Sequence, residues 1–128
     1  MSSNEIKVLG VFKKQLVAFC GELIFQFPRE ADFVMLKLFI ENQIPIKDLI
    51  EIFNLHINKN DHQVKRMIEG RNDDFFIKHN PFAVMTKSKV DHLAELWTDD
   101  SMTQDTKDVM WRWIDMLVMI GDKYQVNR

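Results

Sequence analysis

The stretch Ser101–Tyr124, SMTQDTKDVMWRWIDMLVMIGDKY, constrains the fold more than any other part of the chain. Met110, Trp113, Leu117, Ile120 and Tyr124 recur every three or four residues, which places them on one face of an α-helix, and Trp111, Ile114 and Val118 widen that stripe. Lys107, Arg112, Asp115 and Asp122 fall on the outward side. Ser101 and Gln104 have the spacing of a capping box, and Asp105 and Asp108 bring negative charge to the unpaired N–H groups of a first turn, so the helix is predicted to begin at Ser101. Gly121 marks its weakening, with Gln125 to Arg128 as a frayed tail. An apolar face this wide needs more cover than one neighbouring helix offers. It is therefore both the expected centre of the core and a candidate docking face, and the exposure of Trp111 decides between the two.

The residues upstream supply that cover. Asn4 is a candidate cap for a helix starting near Glu5, after a frayed Met1 to Asn4. Leu9, Phe12, Leu16, Phe19, Leu23 and Phe27 form its stripe, and Phe27-Pro28 ends it because the residue before proline is driven out of the α region. Gly21 inside this pattern is either a tolerated glycine or the point where another helix crosses closely. Arg29 to Asn42 is apolar on nearly all sides, which predicts a central helix buried all round, with Glu30 and Asp32 at its front. Pro45 fits the first turn of the next helix, whose buried side is Ile46, Leu49, Ile50, Phe53 and Ile57. Lys47, Asp48, Glu51 and Asn54 are expected to face water.

Shorter pieces follow. Asn58 to Asp61 punctuates the chain, with Asp61 as a candidate cap for a helix carrying Val64, Met67 and Ile68, and Gly70 is its expected C′ residue. Asn72 or Asp73 caps a single turn holding Phe75, Phe76 and Ile77, ended by Asn80-Pro81. Lys87 or Ser88 opens a helix with Val90, Leu93, Ala94 and Trp97, closed by Thr98-Asp99-Asp100. The prediction is an all-α fold: one globular domain over residues 1–128, with five to seven helices and a long last one.

A chain of 128 residues is the size of one domain and buries enough surface for a core without staples. A net charge of −2 provides no polycationic field, so general binding to nucleic acid or anionic lipid is disfavoured. Cys20, the only cysteine, rules out an internal disulfide and any multi-cysteine zinc site. Met1 to Glu5 lacks the features of a signal peptide, and no apolar run is long enough for a membrane span.

Catalytic and cofactor signatures are missing too. With four glycines in the chain, neither a phosphate-cradling glycine loop nor a serine elbow occurs. His56, His62, His79 and His92 are isolated from one another in sequence, so a metal site would have to be assembled in three dimensions from the first three. Cys20 follows Phe19 in an apolar stripe, where a thiol is inert. Asp73-Asp74 is either an acidic first turn or a cation site. The chain is expected to be no enzyme and to hold neither cofactor nor metal.

What remains is surface. Lys59, Lys65, Arg66 and Arg71, with His62 among them, form a basic cluster, whereas Asp91, Glu95, Asp99, Asp100, Asp105 and Asp108 make the later segment acidic. These are solvated helix faces, complementary patches for docking between neighbouring copies, or, for the basic cluster, a phosphate site of a regulatory or nucleic-acid-binding accessory protein. Ten phenylalanines and three tryptophans exceed what a small core needs. Phe75, Phe76, Phe82, Trp97 and Trp111 are thus candidates both for the core and for exposed anchors. Lys59, Lys65, Arg66, Arg71, Asp99, Asp100 and Trp111 are the candidate partner-binding residues.

Taken in series, FKKQL from Phe12, FP at Phe27, ENQIP from Glu41, RNDDFF from Arg71, MWRWID from Met110 and DKY from Asp122 resemble a small protein family of large double-stranded DNA viruses, notably those infecting algae. The similarity spans Phe12 to Tyr124. It implies a viral setting, with no catalytic activity and no cofactor, and it carries no residue role across. In such viruses a small helical protein of this kind is often a virion component, such as a minor capsid protein contacting copies of itself and other shell proteins. The resemblance thus places the chain in the virion or the host cytoplasm, with other proteins as partners, while the net charge disfavours nucleic acid.

Overall fold

Ser2 accepts a hydrogen bond from the Glu5 N–H and so caps the first helix, two residues ahead of the expected Asn4. In the computed structural model, which describes residues 2–79 and 86–126, six helices follow in order among the described residues, with no strand. They are α1 (Ser3–Gln26), α2 (Ala31–Asn42), α3 (Ile46–Glu69), α4 (Asp74–Lys78), α5 (Lys87–Thr98) and α6 (Gln104–Val126). The fold is all-α, and its last helix is long. Asn80-Pro81 and Phe82 lie outside the described residues.

The described chain divides into two units, one drawn from residues 1–54 and 116–128, the other from 55–115. In the first, α1 buries Leu9, Phe12, Leu16, Phe19, Cys20 and Leu23, the predicted stripe without its last residue, and α2 packs on α1. Phe12 meets Phe53 of α3 with ring centroids 5.5 Å apart, and Phe27 meets Phe33 at 5.7 Å. An added Cβ at Gly21 meets nothing within 4 Å, so this is a tolerated glycine rather than a helix crossing.

α2 departs from expectation. Only Phe33, Leu36 and Ile40 are buried, while Val34, Met35, Leu38 and Phe39 stand in solvent. A helix apolar all round is buried all round only if neighbours lie on every side.

Asn54, expected to face water, is 5% exposed and donates from Nδ2 to the backbone oxygen of Gly121 at 3.0 Å. Gly121 does not weaken α6, which runs on to Val126. A Cβ at this position would run into Asn54 Oδ1, so glycine is what lets the two helices approach here. Beside this contact Tyr124 is buried, and its hydroxyl lies 3.3 Å from Glu51 Oε1.

In the second unit α3 breaks where the polar punctuation predicts, by an unexpected route. Asn60, Asp61 and His62 have φ of 53°, 58° and 62°, so Asp61 is a left-handed residue rather than a helix cap. Asn, Asp and His are the non-glycine types that enter this region most readily. The end of α3 is a Schellman turn, in which Asn72 N–H donates to Met67 O at 2.8 Å and Arg71 N–H to Ile68 O at 3.1 Å. The left-handed C′ residue is Arg71, with φ 53°, and not Gly70. Asn72 Oδ1 then accepts from the Asp74 N–H at 3.0 Å and opens α4, which packs on α5.

α6 starts at Gln104, three residues after the predicted Ser101. Its cap is Thr103, whose Oγ1 accepts from Thr106 N–H at 3.1 Å, whereas Ser101 N–H donates to Asp99 Oδ1 at 2.8 Å in the preceding turn. Trp111 and Ile114, assigned to the edge of the stripe, lie in its buried centre, while Trp113 and Val118 are half-buried.

Candidate functional site

The aromatic residues singled out as surface anchors are core wherever they are described. Phe75, Phe76, Trp97 and Trp111 are 0%, 2%, 1% and 3% exposed, which removes them as surface anchors. Phe76 stacks on Trp97 with centroids 4.0 Å apart and planes at 17°, and Trp111 presents an edge to both, at 4.9 and 5.8 Å. Two cations close the cluster from outside. The Arg71 guanidinium lies 5.5 Å from the Trp111 ring centre, and Lys107 Nζ lies 5.3 Å from that of Trp97. Trp111 therefore belongs to the core, and its alternative role as a docking residue falls.

The basic cluster is partly consumed within the chain. Arg71 forms a two-pronged ion pair with Asp115, one prong at 2.8 Å, and the rigid guanidinium fork suits a carboxylate held in this way. Arg66 donates to the backbone oxygen of Asp61 across the break in α3. Lys59 is exposed and Lys65 half-buried. Asp91, Glu95, Asp99, Asp100, Asp105 and Asp108 all remain exposed. The Ser101 side chain and N–H hold the Asp99 carboxyl below its ordinary range.

The remaining chemical candidates are buried or paired within the chain. Cys20 is buried, and burial pushes its thiol up to about 12, so it carries no thiolate at neutral pH. Asp73 pairs with Lys107 at 3.8 Å and Asp74 with Lys78 at 3.5 Å, as an acidic first turn would. Among the described residues no group of three or more His, Cys, Asp or Glu side chains is placed to hold a metal ion. An open cleft of about 390 Å³ along α1 is lined by Leu9, Gly10, Val17 and Ile46, and at its rim Lys13 Nζ donates to the Glu41 backbone oxygen at 3.3 Å.

His56 and His79 lie together, with ring centroids 5.9 Å apart, and His56 Nε2 is buried without a partner among the described residues. Burial first, then the charges of Lys59 and His79, lower the His56 pKa to about 4, so the ring stays neutral in the fold. Unfolding restores a value near 6.5. Above that pH neither state takes the proton. As pH falls from about 6.5 to 4 only the unfolded chain binds it, and stability is lost across that window. Solvent reaches the half-buried ring, so the expected loss is about 1 kcal/mol. Urea midpoints at pH 7 and pH 4.5 measure it, and in a His56→Gln variant the difference should shrink.

The surface that stands out lies on α2. Its charged residues Asp32, Lys37 and Glu41 are half-buried on the flanks, with Lys37 and Glu41 paired at 3.5 Å. Its outward residues are Ala31, Val34, Met35, Leu38, Phe39 and Asn42, none of them charged. Val34, Met35, Leu38 and Phe39 are 43%, 56%, 47% and 39% exposed. The composition of this segment was legible in the sequence, but not which of its sides lacks a neighbour. Comparison of the chain with protein-family models, curated proteins and solved structures found no match.

Proposed function

We propose that this chain is a non-enzymatic structural protein that works through its surfaces, as a minor capsid component made in the host cytoplasm and built into the virion. The observation that carries this reading is the outward face of α2, where four large apolar side chains stand in solvent while the charges of the same helix are drawn to its flanks. The largest exposed apolar patch of a small protein is often where it meets another macromolecule. The viral setting comes from the resemblance of the segments between Phe12 and Tyr124. Capsid proteins and copies of the chain itself are the partners that follow from it. The alternative, an accessory protein holding nucleic-acid phosphates through Lys59, Lys65, Arg66 and Arg71, draws less support, because Arg71 is committed to Asp115 and Arg66 to a backbone oxygen.

Purified particles analysed by cross-linking and mass spectrometry test the proposal. The chain is expected in the particles, with Lys37 on the flank of α2 linked to a lysine of another shell protein or of a second copy. Its absence from washed particles would overturn the capsid assignment.

A further inference from the structure

The outward face of α2 is symmetric along its length, as a stripe at helical spacing is. Its outward residues Ala31, Val34, Met35, Leu38, Phe39 and Asn42 follow one another at intervals of three, one, three, one and three, a pattern that reads the same in both directions. Laid antiparallel on a second α2 across a two-fold axis, the pattern matches itself. Val34 falls opposite Phe39 of the second copy, Met35 opposite Leu38, and Ala31 opposite Asn42. Each pair sets a smaller or more flexible side chain against a larger or stiffer one, as interdigitating helix faces require.

Charge favours the same occupant. A two-fold contact sets a patch against the same patch of the second copy, so a patch of one charge repels itself unless it also contains its counter-charges. The outward face of α2 carries no charge, and Asp32, Lys37 and Glu41 stay on the flanks. We infer that α2 docks antiparallel on α2 of a second copy, centred between Met35 and Leu38. This rests on the chain being an interaction protein and names its partner at the α2 face. The four side chains leave on the order of 300 Å² of apolar surface per chain, so about 600 Å² is covered across the axis, the size of a weak and reversible contact rather than of a permanent dimer.

The arrangement is tested by cysteines at its two ends. Ala31 and Asn42 are exposed, and the native Cys20 is buried and unreactive. Ala31→Cys and Asn42→Cys chains, one of them tagged, are mixed and mildly oxidised. The mixed disulfide dimer is expected at least tenfold over the product of either variant alone, because in this register like positions lie about 16 Å apart along the helix. Equal yields from Ala31→Cys alone, or no cross-link in the mixture, would overturn the antiparallel contact.

Sedimentation of the unaltered chain gives an independent measurement. The dimer fraction should rise with concentration, and Met35→Glu combined with Leu38→Glu should raise the dissociation constant at least tenfold without loss of helix. A double variant that dimerises like the parent sinks the inference. A chain that stays monomeric at millimolar concentration yet is present in particles removes self-docking and leaves the capsid role standing. A dimer with these properties that is absent from particles does the reverse.

Discussion

Replacing Gly121 with alanine is expected to destabilise the protein by about 2–4 kcal/mol, a large share of the 5–15 kcal/mol that holds a domain together. The new Cβ would run into Asn54 Oδ1. Asn54 cannot simply turn away, because its Nδ2 donates to the Gly121 oxygen in a buried site, and breaking that bond costs about 1–3 kcal/mol. Against this, alanine gains about 1 kcal/mol of helix propensity over glycine, which is too little to offset the clash. Thermal melts should show the transition falling by roughly 10 °C. The double variant Gly121→Ala with Asn54→Ala separates the causes. If the clash dominates, the methyl fills space that the amide vacates, and the double variant should be more stable than the sum of the single changes predicts, by at least about 1 kcal/mol. Strict additivity would show that the two residues do not act on each other.

Trp111→Ala should cost about 3–5 kcal/mol. The indole is 3% exposed and touches Phe75, Phe76 and Trp97 in one cluster, so its removal leaves a cavity ringed by rigid side chains that cannot collapse into it. Arg71, which lies over the ring and is fastened to Asp115, would lose its platform as well. Trp111→Phe keeps an aromatic edge and is expected to lose less than half as much. Urea denaturation followed by circular dichroism measures both variants without relying on tryptophan emission. A Trp111→Ala protein of near-parental stability would mean that the cluster does not hold the second unit together.

These two residues also show how far a sequence can be read. Periodicity placed Met110, Leu117, Ile120 and Tyr124 on the buried face of α6, and all four are buried, because a spacing of three and four residues is a local property of the helix. It placed Trp113 at the centre of that face and Trp111 at its edge, and the packing reverses them. Which side of a broad stripe is buried depends on where the neighbouring elements arrive, and no local pattern encodes that. The same holds at Asn54, polar by type and outward by position, which is buried because a carbonyl of α6 waits for its amide. Gly121 read as a weak point for the same reason.

The helix ends divide similarly. Phe27-Pro28 stops α1 as predicted, since proline acts on its immediate neighbour. At Ser2, Thr103 and Arg71 the chain uses one of several locally competent residues, which spacing alone does not distinguish.

Local pattern was enough to make the chain helical, to place most of its helices and to put Cys20 in an apolar stripe, because spacing and proline act over a few residues. Packing between distant residues makes the aromatic cluster core, commits Arg71 to Asp115 and leaves the apolar surplus of α2 outward. Each of these depends on which surfaces of distant segments meet, and α1 covers only the Phe33, Leu36 and Ile40 side of α2.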